Sequence, residues 1–338
     1  VSGGNQQITF LRSPRGLPVP EDFGAAEVDI PTPGAGQFLS RTIYLSLDPY
    51  YRNVMKNSQI YADRLAPGDV MAGETVAEIV ESRHPEFKNG DVVAVRNGWQ
   101  QYATSDGQGV RKIDPTLAPV STALGVLGMP GLTGYAGTVF LAQPLPGQTF
   151  VVSACTGPVG CTAGQVARHM GARVVGIAGS KEKCDYAVRE LGFDACVDYR
   201  EGDLRAQLKA ACPNGIDAYF DNVGGATLEA VTLNLAMGAR IVLCGMIEAY
   251  SMDTPPPGPW LGPLVGARAT MKGLVVYDHM NRLPEMTRVI ARWIHEGSFR
   301  WKEDISEGLD RAPEAFCRLM RGQNFGKSLV QIGAAPQS

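Results

Sequence analysis

The sequence predicts an α/β protein in which a doubly wound parallel sheet is joined to a smaller antiparallel β-barrel domain. Three observations carry this reading. At 338 residues the chain exceeds what one hydrophobic core usually fills. Up to about residue 120 its apolar residues come in short alternating runs broken by Gly and Pro, the pattern of an all-β domain. From about residue 121, β-branched apolar runs alternate with helical stretches, the pattern of a parallel sheet covered on both faces.

In the first part the runs are Gln37–Leu47, Val70–Ser82 and Val92–Ala103. Between the last two, Lys88-Asn-Gly-Asp91 has the residue types of a tight turn and predicts antiparallel pairing across it. In the second part the strands are placed at Thr149–Ala154, Arg173–Ala178, Ala195–Val197, Ala218–Asp221, Arg240–Cys244 and Leu274–Val276. A helix is predicted over Glu285–His295, another over Ala312–Met320, and a last strand over Ser328–Ile332 that returns to the first domain. The boundaries are then residues 1–123 with 300–338 for the β-rich domain and 124–299 for the parallel sheet domain.

Bulk properties narrow the function. With 44% hydrophobic and 19% charged residues and a net charge of −3, the chain reads as globular, without the basic field that nucleic acid or an anionic membrane would require. Its seven cysteines are scattered and never spaced C-x-x-C, so neither a disulfide framework nor a zinc knuckle is indicated. The first residues lack a basic patch followed by an apolar stretch, and no run approaches 18 apolar residues; a cytoplasmic protein is expected.

The strongest motif is the strand Thr149–Ala154 running into Cys155-Thr-Gly157-Pro158-Val159-Gly160 and then a helical pattern. This is the strand–turn–helix setting of a Rossmann dinucleotide fingerprint, with Cys155 in place of the first glycine. Gly157 would let the backbone approach a pyrophosphate, Gly160 would let helix and strand pack closely, and Pro158 suits a first helical turn. At the end of the next strand, an NAD site usually has an acid for the ribose diol. Here Gly179 and Ser180 stand instead, followed by Lys181 and Lys183 in a first helical turn, where the helix dipole disfavours cations. A bound 2′-phosphate would remove that conflict, so the expected cofactor is NADPH.

Four well-separated histidines (His84, His169, His279, His295), with no H-x-x-x-H pair and no Cys at ligand spacing, predict no metal site. A G-x-S-x-G elbow is absent as well. Together these features fit hydride chemistry, in which the protein orients and polarises a small-molecule substrate.

Several further segments carry a resemblance: Leu45–Arg52, Leu124–Thr133, Ala178–Lys183, Tyr219–Gly225, Cys244–Ile247 and Asn324–Lys327. With Ala154-x-x-Gly157-x-x-Gly160 they resemble, over nearly the whole chain, the zinc-independent medium-chain dehydrogenase/reductases, in the branch of prostaglandin and leukotriene reductases, alkenal double-bond reductases and curcumin reductases. The resemblance implies a chaperonin-like barrel as the first domain and the habit of forming a homodimer. It places Gly157, Pro158, Val159 and Gly160 at the pyrophosphate, and Ser180, Lys183 and Tyr199 at the 2′-phosphate. It further places Asn222, Cys244, Gly245, Met246, Ile247, Tyr250, Leu274, Val276 and Asn324 at the nicotinamide half, and Tyr50, Arg52, Met129 and Tyr277 in the substrate pocket.

Where zinc-containing relatives have a G-H-E motif, this chain reads Gly73-Glu74-Thr75, and Met129 stands where they often have a ligand Cys. A pocket tyrosine frequent in the branch is replaced here by Gly266. Tyr50 is therefore the expected catalytic residue, since a phenol can hydrogen-bond a developing oxyanion. The expected reaction is NADPH-dependent reduction of the C=C bond of an enone or alkenal. The alternatives are an NADPH:quinone reductase on the same scaffold and a non-enzymatic NADPH-binding protein. Substrate size is expected to depend on the loops Ser58–Pro67 and Ala249–Pro259.

Overall fold

The computed structural model describes residues 3–56, 64–254 and 256–335. It divides into two compact units, residues 1–124 with 303–338 and residues 125–302.

In the second unit six parallel strands line up in the order 195–198, 173–178, 149–153, 216–221, 235–243, 270–273. The first strand in sequence lies in the middle, and the chain moves outward first one way and then the other, which is the doubly wound order. Thr149–Ser153 is buried along its whole length, as expected of a strand covered on both faces. Val151, Val175, Ile177, Tyr219, Val231 and Ile241 belong to one apolar cluster on this sheet. The last strand is Thr270–Gly273 rather than Leu274–Val276. It lies at the sheet edge, where one neighbour suffices and hydrophobicity is not required, so its sequence, Thr-Met-Lys-Gly, does not announce a strand. Leu274 still donates one more ladder bond, to Leu243 O at 2.9 Å, after which Val276–Arg282 turns into a 3-10 helix.

The first unit holds a seven-stranded sheet. Its path runs 303–307, 327–331, 38–46, 75–82, 92–95, 111–112, with 102–105 also paired to 38–46. Lys327–Gln331 pairs parallel with Glu303–Glu307 and antiparallel with residues 44–46. The Lys88–Asp91 turn forms as its residue types require: Gly90 has φ +86, and the Asp91 carboxylate accepts from Lys88 N. Val92–Ala103 is not one strand but two, Val92–Val95 and Tyr102–Ser105, interrupted at Gly98 with φ +74. A hairpin that the sequence did not announce, Asn5–Phe10 with Phe23–Val28, adds a two-stranded sheet. Apolar clusters around Ile43 and Val76 and around Phe38 and Phe87 fill this unit.

Candidate functional site

At the C-terminal edge of the parallel sheet, Thr149–Ser153 runs into a tight turn and the helix Pro158–His169. A Cβ on Gly160 would clash with the Ala154 carbonyl oxygen and come within 2.8 Å of Cys155 Cα. The helix can seat against the strand only because that atom is missing. At Gly157 a Cβ would meet nothing closer than Ala154 O at 3.4 Å, so this position opens outward at the helix N-terminus. The left-handed residue of the turn is Ala154, with φ +49, while Cys155 turns into the core and is fully buried. An alanine in that region costs about 1–2 kcal/mol, strain of the sort found at ligand clamps. The N–H groups of Val159 and Gly160, in the first helical turn, have no carbonyl one turn earlier within the helix, which suits an anion.

The strands Arg173–Ala178 and Ala195–Asp198 end side by side, with Tyr199 N donating to Ala178 O at 3.0 Å just before Gly179 and Ser180. Ser180 caps the next helix, its hydroxyl accepting from Lys183 N at 3.2 Å. Tyr199 lies over Gly179: a Cβ there would sit 2.7 Å from the ring. The Arg200 guanidinium lies 5.6 Å from the same ring. The two lysines part company. Lys181 is exposed and paired with Asp185 at 2.6 Å, whereas Lys183 is half-buried. The mismatch with the helix dipole is thus relieved internally at Lys181.

A third group stands on a buried polar knot. Asp221 is fully buried, and burial pushes its carboxyl up, opposed by hydrogen bonds to one of its oxygens. That oxygen accepts from Tyr219 Oη at 2.7 Å, Ser153 Oγ at 3.3 Å, and the N–H groups of Val223 and Gly224, each at 3.0 Å. Asn222 is pinned to the same strand: its N–H donates to Ser153 Oγ and its Nδ2 to Ser153 O at 2.8 Å. The Asp221 carbonyl accepts from Cys244 N and Gly245 N, and Tyr250 Oη accepts from Met246 N at 3.3 Å. The turn 222–225 and the segment 244–250, which includes Ile247, are therefore held together. Cys244 is a neutral thiol there, pushed up to about 12 by burial and by Asp221. Leu274 is buried, Val276 and Met129 half-buried and Tyr277 exposed.

The first unit gathers the remaining residues. Tyr50 is half-buried, its ring 4.2 Å from that of the fully buried Tyr51 and its hydroxyl hydrogen-bonded to Tyr51's. Burial, Tyr51 and Asp48 push the Tyr50 hydroxyl well above the ordinary phenol range, so it keeps its proton. Tyr51 Oη accepts from Glu74 N at 3.1 Å. Asp48 in turn is paired with the buried Lys327 at 2.5 Å. Asn324 donates locally to Gly326 O.

Arg52, expected in the substrate pocket, braces a neighbouring segment. It is wholly buried, with Nε donating to Gly16 O and Nη2 to Pro14 O and Gly16 O, so it ties down the segment 14–16 and is not exposed as a pocket wall. Gly73-Glu74-Thr75 is absorbed similarly: Thr75 Oγ1 donates to Val95 O, and Glu74 lies among Asp48, Arg111, Lys327 and Arg96. Among the described residues no group of three or more His, Cys, Asp or Glu could hold a metal ion. Of the loops expected to shape a pocket, residues 58–63 and Pro255 lie outside the described residues.

Comparison with known proteins identifies the family. Residues 6–113 match the family model described as N-terminal domain of oxidoreductase, and residues 158–292 the one described as zinc-binding dehydrogenase. The NADPH-dependent curcumin reductase of Escherichia coli (strain K12) is 43% identical over 334 residues, 97% of each chain. The chain belongs to the zinc-independent medium-chain dehydrogenase/reductases. Another member, the NADP(+)-dependent 2-alkenal reductase of Nicotiana tabacum, is 37% identical over 97% of each chain. Among solved members, CurA from Vibrio vulnificus in complex with NADPH superimposes with a TM-score of 0.92 at 42% identity, covering 98% of this chain and 100% of that one.

Proposed function

We propose that the protein is an NADPH-dependent reductase of the C=C bond of α,β-unsaturated ketones and aldehydes. The observation that carries this is the corner after Ala178: no acid, a capped helix with a half-buried Lys183, and the Tyr199 ring beside it. The activities named for the curcumin and 2-alkenal reductases support the reaction class.

The cofactor would lie on the second unit, with Gly157–Gly160 at the pyrophosphate and Ser180, Lys183 and Tyr199 at the 2′-phosphate. Asn222, Cys244–Ile247, Tyr250, Leu274 and Val276 serve the nicotinamide half. When bound, NADPH supplies hydride to the β-carbon of the conjugated double bond. Tyr50 keeps its proton through burial and donates a hydrogen bond to the substrate oxygen as that oxygen gains negative charge. Protonation at the α-carbon comes from Tyr50 or water.

We also propose a cytoplasmic homodimer. Supporting it are the edge strand Thr270–Gly273 and the exposed apolar side chains Trp260, Leu261 and Val265 nearby in sequence, a surface that a second copy would cover. Light scattering on the purified protein tests the dimer. No helix among the described residues is long and apolar enough to cross a membrane.

The reaction is tested by following NADPH oxidation over short alkenals, ring enones, long-chain oxo-lipids and quinones. Loss of the enone with formation of its saturated carbonyl is expected. Oxidation with quinones alone would select the quinone reductase, and no oxidation with any of them a non-enzymatic role.

A further inference from the structure

Three sulfurs, from the fingerprint turn, a helix and a strand of the second unit, converge, two of them close in sequence to Lys183 and Tyr199. Cys184 follows Lys183 on the helix Lys181–Arg189, Cys196 lies on the strand Ala195–Asp198, three residues before Tyr199, and Cys155 belongs to the fingerprint turn. Cys196 Sγ is 2.7 Å from Cys184 Sγ and 3.9 Å from Cys155 Sγ. Cys184 and Cys196 are both half-buried, while Cys155 is fully buried. We infer that Cys184 and Cys196 are a redox-modification site, a dithiol that a peroxide converts reversibly to a disulfide across the two elements that carry the phosphate corner.

The roles of the two sulfurs differ. Cys196 donates its S–H to Cys184, which lowers the cost of a Cys184 thiolate, whereas the Cys196 thiol is pushed far up by its two sulfur neighbours and burial. Cys184 is the attacking group. Its thiolate takes one oxygen from hydrogen peroxide: an S–O bond forms, the O–O bond breaks, and the released hydroxide leaves as water with a proton from solvent. The Cys196 sulfur then attacks the oxidised sulfur. The S–S bond forms, the S–O bond breaks, and the hydroxide leaves as water with the Cys196 proton. Two thiols have lost two electrons and one peroxide has become two waters. The sulfurs need to close from 2.7 Å to about 2.05 Å, a small movement of the helix's first turn toward the strand.

That movement acts on the residue next to Cys184. Lys183 donates its backbone N–H to the Ser180 cap, so displacing the first turn changes where its ammonium stands relative to Tyr199. On the NADPH reading, the disulfide weakens cofactor binding; the crosslink itself does not depend on that reading.

The test treats the full chain, fully reduced, with one equivalent of hydrogen peroxide and maps its thiols by peptide mass, before and after a dithiol reductant. A Cys184–Cys196 crosslink is expected, absent in C184S and in C196S, retained in C155S, and reversed by reductant. Oxidation that leaves 184 and 196 unlinked, or that links either to another cysteine, would overturn the site. NADPH affinity, titrated on the same samples, is expected to fall about fivefold on oxidation and to recover on reduction. A crosslinked protein with unchanged affinity would overturn the coupling, and one that binds no NADPH even when reduced would overturn the cofactor reading while leaving the site standing.

Discussion

Lys327 Nζ lies 2.5 Å from Asp48 Oδ1 and donates also to Leu47 O, with both side chains nearly removed from solvent. Removing one partner strands the other as a buried charge. Lys327→Met is therefore expected to destabilise the protein by about 3–5 kcal/mol, read from chemical denaturation. A loss below about 1 kcal/mol would place the pair among ordinary surface ion pairs.

Lys183→Ala should weaken NADPH far more than NADH, by about 1.5–3 kcal/mol, because it removes a charge-assisted contact that only the 2′-phosphate can make. Lys181→Ala is the matched comparison. Its ammonium is exposed and paired with Asp185, so its removal should leave the preference for NADPH intact. Equal losses for both cofactors in Lys183→Ala would show that this residue does not read the phosphate.

Gly179→Ala should act on the same preference by another route. The added Cβ falls 2.7 Å from the Tyr199 ring, which has to move. Affinity for NADPH should drop about tenfold with NADH less affected, an effect of about 1.4 kcal/mol measurable by fluorescence titration.

Tyr50→Phe keeps the ring and deletes one hydroxyl. A hydrogen bond made chiefly in the transition state should take kcat and kcat/KM down together, by about 10²- to 10³-fold, with NADPH affinity unchanged. Burial and Asp48 push this hydroxyl upward, so the alkaline limb that reports its ionisation should lie above the ordinary phenol value of about 10. A raised KM with kcat intact would make Tyr50 a wall of the pocket.

What the sequence disclosed and what it hid follow from the range of the interactions concerned. The Ala154–Gly160 turn was legible because strand, turn and helix N-terminus are contiguous and the steric demand at Gly160 is met within six residues. The helix start at Ser180 was legible for the same reason, its hydroxyl capping Lys183 N three residues on. The bracing role of Arg52 was not legible because its partners, Pro14 and Gly16, lie 36–38 residues away, and nothing local announces a guanidinium that ties down a distant segment. The N-terminal hairpin was missed because the segment 11–22 between its strands offers no two-residue turn signal. The edge strand 270–273 was placed four residues late because only Met271 in it is packed against the core. Tyr51, Glu74 and Lys327 acquire their relation to Tyr50 and Asp48 only when strands far apart in sequence pair.

The central claim is the position of hydride delivery. With NADPH deuterated at the transferable C4 position and an acyclic enone, the product should be the saturated ketone carrying deuterium at the β-carbon. Deuterium at the carbonyl carbon of an allylic alcohol, with the double bond retained, would contradict the account.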